Sequence, residues 1–267
     1  MTENNLKNGQ YPKISIVTPS FNSAKYIEDC IQSVLNQNYP NFEHIIIDGG
    51  STDGTIEILK KYPHLIWISE PDEGQSDALN KGFKMASGDI IGWLNSDDVY
   101  LQETFNKVIN ELNNSDVDGV YSNIYFGDKN LNITRKLITH KPIKWLSLFH
   151  CFIPSTSFFF KRKIIDNGIL IDKNIHITMD KDFFARILYS GFKLKYVNDF
   201  WAIFRWHDAN KSLDTREVKK IRYKEGLKTM ITLTKSHIPV NQFTVNFYVL
   251  IIYLLKPYRK YLRAVSK

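Results

Sequence analysis

Short apolar runs recur through the first hundred residues, each followed by polar, small residues and then by a stretch in which apolar positions return every three or four. Residues 13–18 (KISIVT) form a β-branched run that ends at Pro19-Ser20-Phe21-Asn22, which predicts a strand and then a loop. Ile27, Cys30, Ile31, Val34 and Leu35 next share one helical face, with Glu28 and Asp29 in the first turns, where the helix dipole favours acids. Cys30 is thereby a core residue. The same alternation predicts strands at 44–47, 65–68 and 90–94 and helices at 55–62 and 76–86. Continuous apolar strands separated by helices predict an α/β, Rossmann-like fold, a mainly parallel central sheet flanked by helices, with ligands beyond the carboxyl ends of the strands. The residues expected there are Pro19 to Asn22, Asp48-Gly49-Gly50-Ser51-Thr52-Asp53-Gly54, Glu70-Pro71-Asp72-Glu73-Gly74 and Asn95-Ser96-Asp97-Asp98.

The second half is more mixed. A hairpin is expected across Gly127-Asp128-Lys129-Asn130, strands at 157–160, 196–197 and 201–206, and a helix at 180–189. From Asp214 onward the pattern is helical. No repeat or linker divides the chain, so residues 1–212 are read as one domain, with a first half at about 13–100 and a second at about 101–212, followed by a helical extension at 213–267. Within that extension, residues 243–255 (FTVNFYVLIIYLL) are almost wholly apolar and are followed by Lys256, Arg259, Lys260, Arg263 and Lys267 with no acid. Thirteen residues fall short of the ~20 that span a bilayer. An interfacial helix on a membrane is expected, with packing on the main domain as the alternative.

Composition narrows the class. With 267 residues, 43% hydrophobic and 24% charged, the chain can bury a sizeable core, and disorder or a disulfide scaffold is excluded. Two cysteines and a polar start without an apolar stretch point to the cytoplasm. The net charge of +7 suits a polyanionic ligand, nucleic acid or an anionic membrane surface.

Two segments could carry chemistry. Asp97-Asp98 directly follows an apolar strand, and adjacent carboxylates repel unless a cation or donor groups stand beside them. Oxygen ligands suit Mg²⁺ or Mn²⁺, with substrate phosphates and water completing the shell; the alternative is a helix cap beside a solvated acid. Residues 48–55 (DGGSTDGT) form a glycine-rich loop after a strand, suited to close approach of a ligand or to a capped tight turn. They match neither a Walker loop nor the dinucleotide fingerprint.

In this order the segments resemble the family 2 glycosyltransferases with the A-type nucleotide-sugar fold, over about residues 14–212. Ile16-Val17-Thr18-Pro19-Ser20-Phe21-Asn22 looks like the family's opening strand and loop, residues 48–55 like its nucleoside-binding loop, and Asn95-Ser96-Asp97-Asp98 like its metal and diphosphate motif. Ile153-Pro154-Ser155-Thr156-Ser157-Phe158-Phe159 is similar to the acceptor-side strand, Met179-Asp180-Lys181-Asp182-Phe183-Phe184-Ala185-Arg186 to the segment that supplies the catalytic base, and Phe204-Arg205-Trp206-His207 to the late Arg-x-His. Three positions depart from the common pattern: Gly49 stands where a second acid often reads the base, Asn95 where the metal motif often begins with Asp, and Met179 where an acid often precedes the base.

The resemblance implies an inverting, metal-dependent enzyme that moves a sugar from a nucleoside-diphosphate donor to a hydroxyl of a glycan or lipid-linked acceptor in polysaccharide biosynthesis. It implies Asp180 as general base. Donor contacts fall to Thr18, Pro19, Ser20, Asn22, Asp48, Gly50, Ser51, Asp77, Asp97 and Arg205, and a divalent cation, Mn²⁺ or Mg²⁺, to Asp98 and His207. Nucleotidyl transfer is the rival chemistry, but it would need a basic glycine-rich loop that the sequence lacks. Nucleic-acid binding is the rival from another class. It calls for a basic, aromatic stripe on the main domain, whereas the clearest basic cluster is at the C-terminus. No nucleic-acid partner is expected, and nothing in the sequence sets the oligomeric state.

Overall fold

A computed structural model of the chain describes residues 11–208, 210 and 215–266; the polar start at 1–10 and the expected domain boundary at 212/213 lie outside them. The first half is the expected alternation: β1 (Ile14–Ser20), α1 (Ile27–Leu35), β2 (Phe42–Asp48), α2 (Thr55–Leu59), β3 (Leu65–Ser69), α3 (Gln75–Met85) and β4 (Ile90–Trp93). These strands pair in parallel in the spatial order β3-β2-β1-β4. Helix α3 lies close on β1 and β2 because Gly82 carries no side chain; a Cβ there would stand 2.3 Å from Val17 and 3.3 Å from Ile47.

Beyond β4 the sheet becomes mixed. Its elements are β5 (Val99–Tyr100), α4 (Thr104–Asn113), β6 (Gly119–Gly127), β7 (Ile133–Leu137), β8 (Phe159–Lys161), α5 (Lys163–Asp166), α6 (Met179–Tyr189) and β9 (Leu194–Arg205). β8 runs antiparallel to both β4 and β6, and β5 antiparallel to β9, whereas β6 and β9 are parallel. The expected α/β sheet is present, wholly parallel over β1 to β4 and mixed beyond them, where β6 and β9 keep a long parallel pairing; apolar periodicity reveals a strand but not its partner's direction. The strand expected at 157–160 begins at Phe159, after a 3₁₀ turn at Ser155–Ser157, and the two strands expected at 196–197 and 201–206 are parts of continuous β9. Helix α4 was not foreseen, although Phe105, Val108, Ile109 and Leu112 give it a buried stripe.

The C-terminal helices α7 (Arg216–Thr234), α8 (Gln242–Leu254) and α9 (Lys256–Val265) follow. They are tied into the main domain. Tyr248 of α8 is buried, donates to the Leu148 carbonyl at 2.5 Å and accepts from the Lys181 ammonium at 2.9 Å. The opposite face of α8 stays open, with Phe243 79% and Leu254 69% exposed. The apolar run at 243–255 thus packs on one side and faces outward on the other. No helix among the described residues is long and apolar enough to cross a membrane.

Candidate active site

The loop after β2 is held by its own aspartate. Asp48 is fully buried, and its carboxylate accepts from the backbone N–H of Gly50 (3.1 Å) and Ser51 (2.8 Å) and from the hydroxyls of Ser51 (2.5 Å), Ser69 (2.7 Å) and Ser20 (3.2 Å). Gly50 takes a left-handed φ of 84° to allow this turn. Asn22 and Ser51 then stitch the β1 loop to it: the Asn22 N–H donates to the Ser51 hydroxyl at 2.7 Å, and the Asn22 side-chain oxygen accepts from Thr52 at 3.0 Å. Asn22, Gly50 and Ser51 form one partly open shelf at the carboxyl edge of the sheet. Asp48 braces that shelf from below. Thr18, expected beside the donor, lies inside the core, where its hydroxyl meets His44 Nε2 at 2.9 Å; Pro19 and Ser20 complete β1.

Asp72 lies in one of the strand-end segments expected at the ligand edge but was not among the expected donor contacts. A Cβ on Gly49 would stand 2.9 Å from an Asp72 carboxylate oxygen, so the β3–α3 loop places an acid in the space a side chain at position 49 would occupy. The signal was present as the acid of Glu70-Pro71-Asp72 at the third strand end.

The two carboxylates after β4 have opposite surroundings. Asp98 has no exposed surface and accepts from the Arg205 N–H (2.9 Å), the Asn95 amide (3.0 Å) and the Thr156 hydroxyl (3.0 Å). Burial pushes its pKa well up and the neighbouring Asp97 adds to this, against those three donors. Asp97 is partly exposed. Its carboxylate lies 3.0 Å from His207 Nε2 and 3.3 Å from the Asn210 amide. The expectation of Asp98 as metal ligand meets an oxygen pair already committed to protein donors, and Asp97 is the carboxylate left at the surface. Arg205 is also internal: its guanidinium bonds the carbonyls of Asp97 and Lys129, both at 2.8 Å, and Asp29 at 2.7 Å, and rests 4.5 Å from the Tyr26 ring. It braces the strand end that carries Asp97. Tyr26 in turn stacks on His207 with ring centroids 4.7 Å apart.

The first turn of α6 presents Asp180 and Asp182 in different directions. Asp182 is buried and bonded to Arg186 at 2.7 Å and to the Thr229 hydroxyl of α7 at 2.9 Å. Asp180 accepts from the Lys181 N–H at 2.7 Å and from the Cys151 thiol at 3.5 Å. Burial raises its pKa, opposed by the Lys181 N–H and that thiol. The turn itself is fixed from α7, where buried Glu225 accepts from the backbone N–H of His176, Ile177 and Thr178 at 2.9–3.0 Å. Asp180 opens into a cavity of about 240 Å³ whose wall includes Thr156, Phe204, Trp206, Arg135 and Arg263. Thr156 bonds Asp98 and Trp206 precedes His207 in sequence, so the cavity wall stands one residue away from the carboxylate pair.

Residues 15–186 match the family described as Glycosyl transferase family 2. The chain belongs to that family. Among curated relatives, it is 28% identical over 257 residues to the uncharacterized glycosyltransferase MJ1057 of Methanocaldococcus jannaschii, covering 91% of this chain and 88% of that one. It is 39% identical over 102 residues to the putative teichuronic acid biosynthesis glycosyltransferase TuaG of Bacillus subtilis, covering 36% and 40% of the two chains. Its fold matches Staphylococcus aureus TarS 1-349 in complex with UDP-GlcNAc (TM-score 0.66, 15% identity, 90% of this chain and 71% of that one). It also matches the mannosyltransferase PcManGT of Pyrobaculum calidifontis in complex with GDP-Man and Mn²⁺ (TM-score 0.62, 17% identity, 97% and 74%).

Within this family 2 domain, Asp97 and His207 offer one carboxylate oxygen and one imidazole nitrogen. Among the described residues no three His, Cys, Asp or Glu side chains converge as a ligand set. Two such donors fit a divalent ion that keeps phosphate and water ligands. Asp77, expected at the donor, is paired with Lys173 and lies 3.4 Å from Lys81; those lysines lower its pKa. It ties α3 to the segment before α6.

Proposed function

We propose that the protein is an inverting, metal-dependent glycosyltransferase that moves a sugar from a nucleoside-diphosphate donor to a hydroxyl of a glycan or lipid-linked acceptor. The observation that carries this reading is the shared cavity: Asp180 opens into the space bordered by Thr156 and Trp206, the neighbours of Asp98 and His207. Family membership, the nucleotide sugars bound by TarS and PcManGT, and the biosynthetic role in TuaG's name support it.

In this reading the shelf of Asn22, Gly50 and Ser51 receives the nucleoside, and Asp72 is the carboxylate placed to select its base. Asp97 and His207 would hold Mn²⁺ or Mg²⁺, which would supply charge neutralisation for a departing diphosphate without proton transfer, and Asp98 keeps their strand end rigid. Asp180 takes the proton of the acceptor hydroxyl as it attacks an oxocarbenium-like carbon. A pKa raised by burial brings this base closer to neutral pH, where base catalysis is most effective. Attack from the side opposite the diphosphate inverts the anomeric centre.

The exposed side of α8 and the acid-free basic stretch after it suit a seat on an anionic membrane surface. The enzymatic reading is tested by thermal shift against UDP- and GDP-sugars with Mn²⁺, followed by NMR of the product. A ligand at about 100 times its Kd stabilises by about 2.7 kcal/mol. Absence of stabilisation by every donor, or retained anomeric configuration, contradicts the proposal.

A further inference from the structure

Helix α9 brings Arg263 to the wall of the cavity, and among the described residues no carboxylate pairs with it. Arg263 of α9 and Arg135 of β7 both line the cavity, with Arg135 stacked 3.8 Å over the Phe126 ring. Arg259 stands one helical turn before Arg263. The Nε atoms of Arg259 and Arg263 are buried without a hydrogen-bond partner, and among the described residues no carboxylate lies within 4 Å of any of the three guanidiniums. Among the described residues, Arg263 makes one side-chain polar contact, with His150 Nε2 at 3.5 Å. Burial together with Arg259 and Arg263 pushes that histidine down to about 2, so it adds no charge of its own. The only acid on the cavity wall is Asp180.

Arg259 and Arg263 are partly buried, and burial together with a neighbouring guanidinium lowers the pKa of each, while Arg135 is exposed at the rim. Partly buried guanidiniums without a carboxylate favour an anionic ligand, and they pair with phosphate through charge-assisted, often bidentate hydrogen bonds. The wall also carries the aromatic side chains of Phe126, Phe152, Phe204 and Trp206, beside the hydroxyl residues Thr139, Ser155 and Thr156. The same helix α9 leaves Tyr261 and Val265 each 61% exposed beside the open face of α8. From Gly226 onward the sequence has seven Lys and Arg and no acid, so the whole net charge of +7 resides in this C-terminal region.

We propose that Arg135, Arg259 and Arg263 form an anion subsite for an acceptor whose phosphate or diphosphate lies between an apolar chain and the attacking hydroxyl. The inference rests on the acceptor side of the reading above and names its chemistry. The apolar chain then leaves the cavity along α8 and α9, and the phosphate held by the arginines sets how far the hydroxyl reaches toward Asp180.

The test uses the full chain with Mn²⁺ and its nucleoside diphosphate at saturation, so that the donor site is filled. Binding of geranyl diphosphate, geraniol and inorganic pyrophosphate is measured for wild type, Arg135→Gln, Arg263→Gln and Arg263→Lys. Geranyl diphosphate should bind at least about tenfold tighter than geraniol, and each glutamine variant should lose about tenfold for it while nucleotide affinity stays unchanged. Arg263→Lys should retain part of the affinity. Pyrophosphate binding as tight as geranyl diphosphate would overturn the apolar chain and leave a free-anion site. Equal binding of alcohol and diphosphate by wild type overturns the subsite whether or not the variants fold. Weakened nucleotide binding in the arginine variants would assign the cluster to the donor. If no nucleotide binds at all, the glycosyltransferase reading fails and not the subsite alone.

Discussion

The shelf after β2 and the wall of the cavity that holds Asp180 are built by different means. On the donor side, the shelf at residues 22 and 48–52 is closed by bonds from Asp48 to its own loop and to the neighbouring strand ends. On the acceptor side, Asp180 is set by Glu225, its cavity is walled by residues from 124 to 263, and its helix is tied to α7 through Asp182 and Thr229. A wall that bonds to itself tolerates change elsewhere in the chain. A wall assembled from distant segments makes the placement of Asp180 depend on helix α7.

The largest expected effect distinguishes the base from its neighbour. Asp180→Asn keeps the shape of the side chain and removes the proton acceptor, so kcat should fall by about 10² to 10⁴ with donor affinity unchanged. Asp182→Asn should chiefly lower stability, because it disturbs a buried ion pair and the bond to Thr229.

The adjacent carboxylates sharpen the comparison within the donor wall. Asp97→Asn should lose about 10²-fold in cation-dependent turnover with little change in melting temperature, an effect that EDTA treatment of wild type should reproduce. Asp98→Ala leaves the donors on Arg205, Asn95 and Thr156 without an acceptor and should cost about 2–4 kcal/mol in a denaturant titration. If Asp98→Ala folds as stably as wild type and loses only cation dependence, the roles are exchanged.

Glu225→Gln tests the long-range coupling. Three backbone N–H groups now bonded to its carboxylate would share a weaker neutral acceptor, so stability should fall by about 1–2 kcal/mol. The accompanying drop in kcat should exceed any change in donor KM. Unchanged kcat at full occupancy would show that α7 does not position Asp180.

The smallest effect lies in the same half of the chain as the shelf but at the opposite, amino-terminal edge of the sheet. Burial opposes ionisation of Glu43, but Lys13, Ser15 and Ser87 outweigh it and lower its pKa to about 2. Its folded value lies below its unfolded one, so its contribution is present at neutral pH and is lost as pH falls from about 4.5 toward 2. Glu43→Gln should flatten acid unfolding across that window and leave turnover at neutral pH unchanged.

The contrast between the walls also explains what the sequence disclosed. Apolar periodicity located β1 to β4 and their helices, and the polar segments at their ends stood out because each is contiguous. Which acid of an adjacent pair faces outward was not legible, since Asp98 is enclosed by Thr156 and Arg205, residues 58 and 107 positions away. Nor was Glu225: its partners lie 47 to 49 residues earlier, and in sequence it is one more acid on a charged helix. Asp72 could have been ranked higher from its place at a strand end, but its approach to Gly49 depends on the spacing of two loops.

The central claim is that Asp180 is the base of the shared cavity, and the pH dependence of kcat/KM tests it most directly. Burial raises the pKa of this carboxyl, so wild type should gain activity as pH rises through an apparent pKa above the ordinary carboxylate value of about 3.9. The Asp180→Asn variant should show low activity without that limb. The same limb persisting in Asp180→Asn, or vanishing in Asp182→Asn while that protein remains folded, would contradict the account.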